Sequence, residues 1–416
     1  MANSSPPVSR GPFRLMAYVL GVTAFGAGLP TPLYAVYQHQ YGFSSLTLGG
    51  IFASYVAGVL LTMFLLAPQS DLIGTRPVLY IGMALTALAG VAFILADGTF
   101  LLAVARFVSG LAVGATTSTA TVSMTNREPR GDKHHVARVA VGANFGGVAT
   151  GVLLGSVAVA WFPDPTQTVF LFLILSAAVA VVLLVLTPRR YHGPHRPDVV
   201  RIERIVVPRE LRGPFWVAVG GLTSCYAIYG FFASLAPTAV REATHLPAFE
   251  AASFVAVMFG CAALVQIFLG QVRDRNALLF GLPLLVLALA LFVLALPVGS
   301  VPLLVVGGVL MGIAVGFVYM GSVTLVDRVA PDQLRGEILS GFHLSGYLAL
   351  AVPTLCLAFV ANSLGVVTSG AVFGVSLGVF VFLTYLATRR TPLPPGGEGR
   401  PLPPREKARL SPPAGT

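Results

Sequence analysis

Charge is scarce in this chain. Asp, Glu, Lys and Arg make up 10% of its 416 residues, less than half the roughly 25% usual in a soluble globular domain. With 56% hydrophobic residues, that shortage excludes a water-soluble enzyme. It also excludes disorder over most of the length, because disorder needs low hydrophobicity and high charge. Cysteine is nearly absent. Cys225, Cys261 and Cys356 all sit in apolar runs and read as small core residues, which argues against a disulfide framework or a metal site. Lysine is rarer still, 2 residues against 24 arginines, and with abundant Ala, Val and Gly this usage hints at a GC-rich bacterial genome. The sequence has no G-x-x-x-x-G-K-[ST] loop to drive a primary pump. It also lacks the cluster of His, Asp or Cys at one membrane face that a membrane-embedded enzyme requires. No cofactor is expected.

What the chain does have is length without charge. A helix needs about 20 apolar residues to cross a bilayer. Residues 15–70 contain no Asp, Glu, Lys or Arg, enough for two spans with a turn near Gln38–Ser45. Residues 77–96 give one more, and 98–126 another, interrupted only by Arg106. The runs 139–163, 165–188, 213–240 and 251–272 supply one each, while 276–326 and 338–388 each hold a pair. The total is twelve. Backbone groups in hydrocarbon must be satisfied within the segment, so the spans are helices.

The few charges are placed asymmetrically. With the N-terminus inside, the inner segments carry 24 Lys and Arg and the outer loops carry only Arg241, as the positive-inside rule expects. The net charge of +10 then belongs to the face beside anionic lipid, and nucleic acid is not needed to explain it. Met1–Arg14 followed by an apolar run resembles a signal peptide, but the run is too long for one, and a retained first helix is expected.

The polar stretch Tyr191–Arg212 separates six spans from six, and the two sets resemble each other. Gly110-Leu-Ala-Val-Gly114 recurs as Gly312-Ile-Ala-Val-Gly316, 202 residues on. Asp71 corresponds to Asp274, Leu29-Pro-Thr31 to Ala236-Pro-Thr238, and Gly142 and Asn144 to Gly341 and His343. Four matches in order argue for a duplicated six-helix unit, and two similar halves can rock about a site between them. The expected organisation is an inner segment 1–14, a first bundle 15–188, a central loop 189–212, a second bundle 213–388, and a disordered Pro-rich tail 389–416.

With these motifs in view, the chain resembles the major facilitator superfamily, and in particular its bacterial, actinobacterial-type drug-efflux members. The loop between spans 2 and 3 reads Ala67-Pro-Gln-Ser-Asp71-Leu-Ile-Gly74-Thr-Arg76. Asp71, Gly74 and Arg76 match the family's gate motif, whereas Ala67, Leu72 and Thr75 depart from it. The resemblance implies an inside gate there; the plain alternative is a solvated turn. Arg106, Gly110 and Gly114 resemble the fourth-span motif in which a buried Arg is tied to coupling, against the alternative of an Arg snorkelling to the interface. Gly142, Gly146 and Gly151 resemble the fifth-span antiporter motif, with Gly147 in place of its Pro. Alternatively they form a small-residue packing face.

No Asp or Glu lies deep in any span. His343 is therefore the best titratable coupling candidate, with a structural histidine as its alternative. Asn144, Tyr226, Gln266, Tyr319 and Tyr347 are the substrate-cavity candidates, while Tyr34 and Tyr37 read better as interface anchors. Aromatics and hydroxyls with few charges suit an apolar or weakly charged organic solute.

The resemblance implies an all-α membrane protein of twelve transmembrane helices in two pseudo-symmetric bundles, and a secondary transporter rather than an enzyme. The expected activity is proton-linked efflux of a small, largely apolar compound by alternating access. The alternative is an uptake symporter or facilitative uniporter of the same fold. Expected partners are the solute, protons and the bilayer, without nucleic acid. The expected form is a monomer in the cell (inner) membrane with both termini cytoplasmic.

Overall fold

The computed structural model describes residues 11–65, 74–128, 132–187, 211–269, 274–330 and 334–392. Among them are fourteen long or short helices and no strand. The first half contains α1 (Gly11–Gly28), α2 (Pro30–Tyr41), α3 (Ser45–Leu65), α4 (Thr75–Ile94), α5 (Thr99–Thr125), α6 (Lys133–Trp161) and α7 (Pro165–Leu186). The second contains α8 (Arg212–Ser234), α9 (Ala236–Thr244), α10 (Ala248–Leu269), α11 (Asp274–Val298), α12 (Val301–Val329), α13 (Arg335–Leu364) and α14 (Val366–Arg390). Twelve of these helical segments are long and apolar enough to cross a bilayer, with α1 and α2 acting as one. The chain is a multi-pass membrane protein. Because the spans are even in number, α1 begins and α14 ends on one face, called here the termini face; the opposite one is the far face.

The first span of each half is broken at a matching place. Pro30 and Pro32 lack N–H groups, so the carbonyls of Gly26 and Gly28 lose their helical donors, and the helix stops at Gly28 and restarts at Pro30. Pro237 does the same to the carbonyl of Ala233, and α8 gives way to α9 across Leu235. At the far face α2 ends on Gly42, whose φ of 64° lets its N–H return to the Gln38 carbonyl at 2.9 Å.

The two halves repeat one set of helix pairs. α3 packs on α5 as α10 does on α12, α4 on α5 as α11 on α12, α1 on α6 as α8 on α13, and α4 on α7 as α11 on α14. Glycines let these backbones approach. A Cβ on Gly114 would stand 2.9 Å from the Val59 carbonyl oxygen, and one on Gly316 would stand 2.7 Å from Val265 Cβ. Gly28 abuts Val148, and Gly230 abuts Leu350. Both members of that second pair lie 202 residues beyond the first, the same spacing seen between Gly110 and Gly312 in the sequence.

Hydrophobic residues that cover no protein face outward. On α7 the side chains of Leu171, Phe172, Leu175, Val182 and Leu186 are exposed, as expected of a helix bordered by lipid. The first and seventh spans are the most deeply buried. They stand at the centre, where the halves meet. The halves are joined chiefly by α3 against α13 and α6 against α10, which are equivalent contacts under the repeat. Toward the far face, α2 also touches α8, α9 and α10, a Cβ on Gly49 would meet Ala358 Cβ at 2.5 Å, and the rings of Trp161 and Phe249 lie 5.4 Å apart.

Candidate functional site

Mid-span, where α3 meets α13 and α6 meets α10, the seam between the halves is lined with aromatic rings. Tyr226 of α8 stands edge-on to Tyr347 of α13, with centroids 5.4 Å apart. Tyr229, one turn on, meets Phe259 of α10 at 5.0 Å. From the other half, Phe145 of α6 lies 5.4 Å from Tyr319 and 6.3 Å from Phe259. Tyr55 of α3 completes the group, clustering with Phe52, Ala233 and Leu350 and packed on by Tyr226, Tyr229 and Tyr347. Each half contributes rings to a shared centre with apolar walls and several hydroxyls.

Arg106 sits beside this centre and is 1% exposed. Its Nε donates to the Tyr34 hydroxyl and its Nη1 to the Ala27 carbonyl oxygen at 3.1 Å. That carbonyl lies just before the break at Gly28–Pro30, where the helical ladder is interrupted. The guanidinium carbon stands 5.1 Å from the ring centroid of Tyr34, 5.5 Å from that of Tyr55 and 5.8 Å from that of Phe52, a favourable cation–π setting. The remaining nitrogen, Nη2, is buried and has no hydrogen-bond partner. Arg106 therefore does not snorkel to the interface. The second half has no equivalent cation: 202 residues on stands Gly308, and the ring of Phe254 fills the space, its Cζ 2.9 Å from where a Cβ would be.

Tyr34 and Tyr37, expected as interface anchors, are instead buried at 1% and 2% exposure. Tyr34 holds Arg106, and the Tyr37 hydroxyl donates to the Phe93 carbonyl oxygen at 3.3 Å. The break at Pro30 re-aims α2, so its tyrosines point into the bundle.

Of the gate motif, Asp71 lies outside the described residues, as does Arg273 of the second-half copy. Gly74 flanks the start of α4 with a φ of 89°. Arg76 reaches the end of α7, where its Nη2 donates to the carbonyls of Leu184, Val185 (3.3 Å) and Thr187 (2.9 Å), and its Nε to the Tyr80 hydroxyl at 3.2 Å. These are carbonyls that a helix terminus leaves without donors, at the negative end of its dipole. The second half repeats the device more weakly, with Arg275 Nη2 on the Arg389 carbonyl at 3.3 Å, at the end of α14.

The glycines of the fifth-span motif divide between faces. Gly147 and Gly151 abut Gly21, Ala24 and Phe25 of α1, and Gly155 continues the row against Leu29 and Pro32. Gly142 points the other way: its Cβ position lies 2.8 Å from Ile267 Cγ1 of the second half. Gly146 has open space at its Cβ position. Asn144 is half-buried on the same stretch. His343 is half-buried as well, its Nδ1 2.8 Å from the Leu339 carbonyl oxygen and its ring edge-on to Phe342. Gln266 lies off the seam, donating from Nε2 to the Gly316 carbonyl at 2.6 Å and tying α10 to α12. Reading the sequence did not single out Tyr55, Phe52, Phe145 or Phe259. Tyr55 lies four and seven residues before Val59 and Thr62, on the face that receives Gly110 and Gly114, which is the signal that could have pointed to it.

The sequence matches the family model of the Major Facilitator Superfamily over residues 16–353. Among solved structures, a crystal structure of the nucleoside transporter NupG matches with a TM-score of 0.69 at 14% identity, covering 92% of this chain and 99% of that one. At that identity the likeness speaks for the fold alone. No curated protein matches the sequence.

Proposed function

The chain belongs to the major facilitator superfamily, and on that premise we propose that it is a secondary transporter exporting a small, largely apolar organic solute. The observation that carries this reading is the aromatic seam. Tyr55 and Phe145 from one half meet Tyr229, Phe259 and Tyr319 from the other, so a solute there would touch both halves and be released as they part. The reading puts Tyr226, Tyr319 and Tyr347 on the pocket wall, with Asn144 nearby and Gln266 acting from behind it. Proton coupling would run through His343, whose Nε2 remains for exchange. The guanidinium of Arg106 would act as a fixed charge. Asp71, Gly74 and Arg76 would steady one state of the cycle at the termini face. The arginine bias supports a cytoplasmic termini face in a bacterial inner membrane, and the protein would work as a monomer.

Comparing the susceptibility of cells with and without the protein to a panel of apolar toxicants tests export. Hypersensitivity on loss is expected, and Tyr226→Leu or Tyr347→Leu should reproduce it at normal protein levels. Uptake or uniport is the second reading, favoured by the lack of acidic residues deep within the spans. A protonophore separates uniport from proton-linked export, because a uniporter continues to run down its solute gradient while a proton-linked exporter no longer moves solute against its gradient.

A further inference from the structure

Arg106 is a permanent charge at membrane depth with one donor nitrogen unanswered. Its Nε and Nη1 are occupied and three rings enclose its carbon, but Nη2 is buried without an acceptor. An ion in such surroundings is costly unless it is paired. The surrounding helices cannot supply the partner. Tyr34 and Ala27 belong to residues 15–70, Tyr229 to 213–240, and Tyr347 and Leu350 to 338–388, and none of these runs contains an Asp or Glu. The nearest acid on its own chain segment, Asp97, precedes α5 at the far face. No carboxylate of these runs answers the guanidinium.

We propose that the solute carries an anionic group, a carboxylate or its equivalent, which accepts from Arg106 Nη2, on an aromatic or branched apolar body held by the tyrosines. This rests on the aromatic seam being the solute pocket. Charge-assisted hydrogen bonds to a guanidinium are short and directional, and in the low dielectric of the seam the pairing gains strength. The neighbouring rings fit a flat apolar body. Tyr55, whose ring centroid lies 5.5 Å from the guanidinium carbon, carries a hydroxyl that can donate to a second oxygen of the same group.

The test uses purified protein in detergent and two matched probe series. Benzoate, phenylacetate and 4-phenylbutyrate are compared with benzamide, phenylacetamide and 4-phenylbutyramide by the concentration dependence of Tm, since a ligand of the folded state raises it. At least one acid is expected to bind about tenfold or more tighter than its amide. Arg106→Gln should abolish that preference, with Arg106→Lys retaining part of it. Equal binding of acids and amides overturns the proposal, as does no response to any acid at about 10 mM, or a preference that survives Arg106→Gln. The wild-type comparison stands even if the variants do not fold. Tyr226→Leu and Tyr347→Leu separate the two readings. If they leave acid affinity unchanged while Arg106→Gln removes it, the tyrosine pocket is wrong and anion recognition stands. If they weaken acids and amides alike while Arg106→Gln affects neither, only the anion proposal fails.

Discussion

A polar side chain at membrane depth either ties helices together or meets a solute, and the hydrogen-bond partner separates the two roles. Gln266 is 3% exposed and its amide donates to Gly316 in its own half. Gln266→Leu should therefore lower stability by about 1 kcal/mol, read as a fall in Tm, and leave solute affinity unchanged. Sequence marked Gln266, Tyr226 and Tyr319 alike, because all three are polar residues in apolar helices. It had no means to see that a backbone carbonyl claims one of them. Arg106 was legible as a buried charge, since a lone Arg in a charge-free run admits few readings. Its cage was not legible, because Tyr34 reaches it only after the chain bends at Pro30, and Tyr55 arrives from another helix.

Small residues set the spacing between helices, and their roles differ within one motif. A methyl group on Gly151 would run into the Phe25 backbone, whereas one on Gly146 meets open space. Gly151→Ala should cost about 1–3 kcal/mol, seen as lower Tm and a poorer monodisperse fraction on size exclusion, while Gly146→Ala should leave both unchanged. Helix ends carry a second contrast. Arg76 binds three carbonyls at the end of α7, while Arg275 binds one at the end of α14. Arg76→Gln should destabilise by about 1–3 kcal/mol and Arg275→Gln by visibly less, in parallel melts. The twelve spans were readable because the bilayer permits so few solutions to the backbone. The helix-capping role of Arg76 was not readable, because its partners are main-chain oxygens that carry no sequence signature.

At the scale of the molecule, the halves meet along a seam that extends to the far face, where the tilted rings of Trp161 and Phe249 meet across it. In a background lacking Cys225, Cys261 and Cys356, joining Trp161→Cys to Phe249→Cys with a disulfide-containing bifunctional thiol reagent that spans the gap the two rings fill should arrest transport, and reduction should restore it. Flux that continues through the crosslinked protein would count against separation of the halves at this face. The duplication itself was visible as four matches in order at offsets between 199 and 207, and the structure repeats it as contacts 202 apart, Gly28 on Val148 and Gly230 on Leu350. The duplication fails at one position that matters: opposite Arg106 stand Gly308 and Phe254. The seam is thus lopsided, with a positive pole on one wall and uncharged rings on the other. Cargo that answers that pole keeps a fixed heading toward the first half while the doors swing, and so crosses the membrane without a somersault.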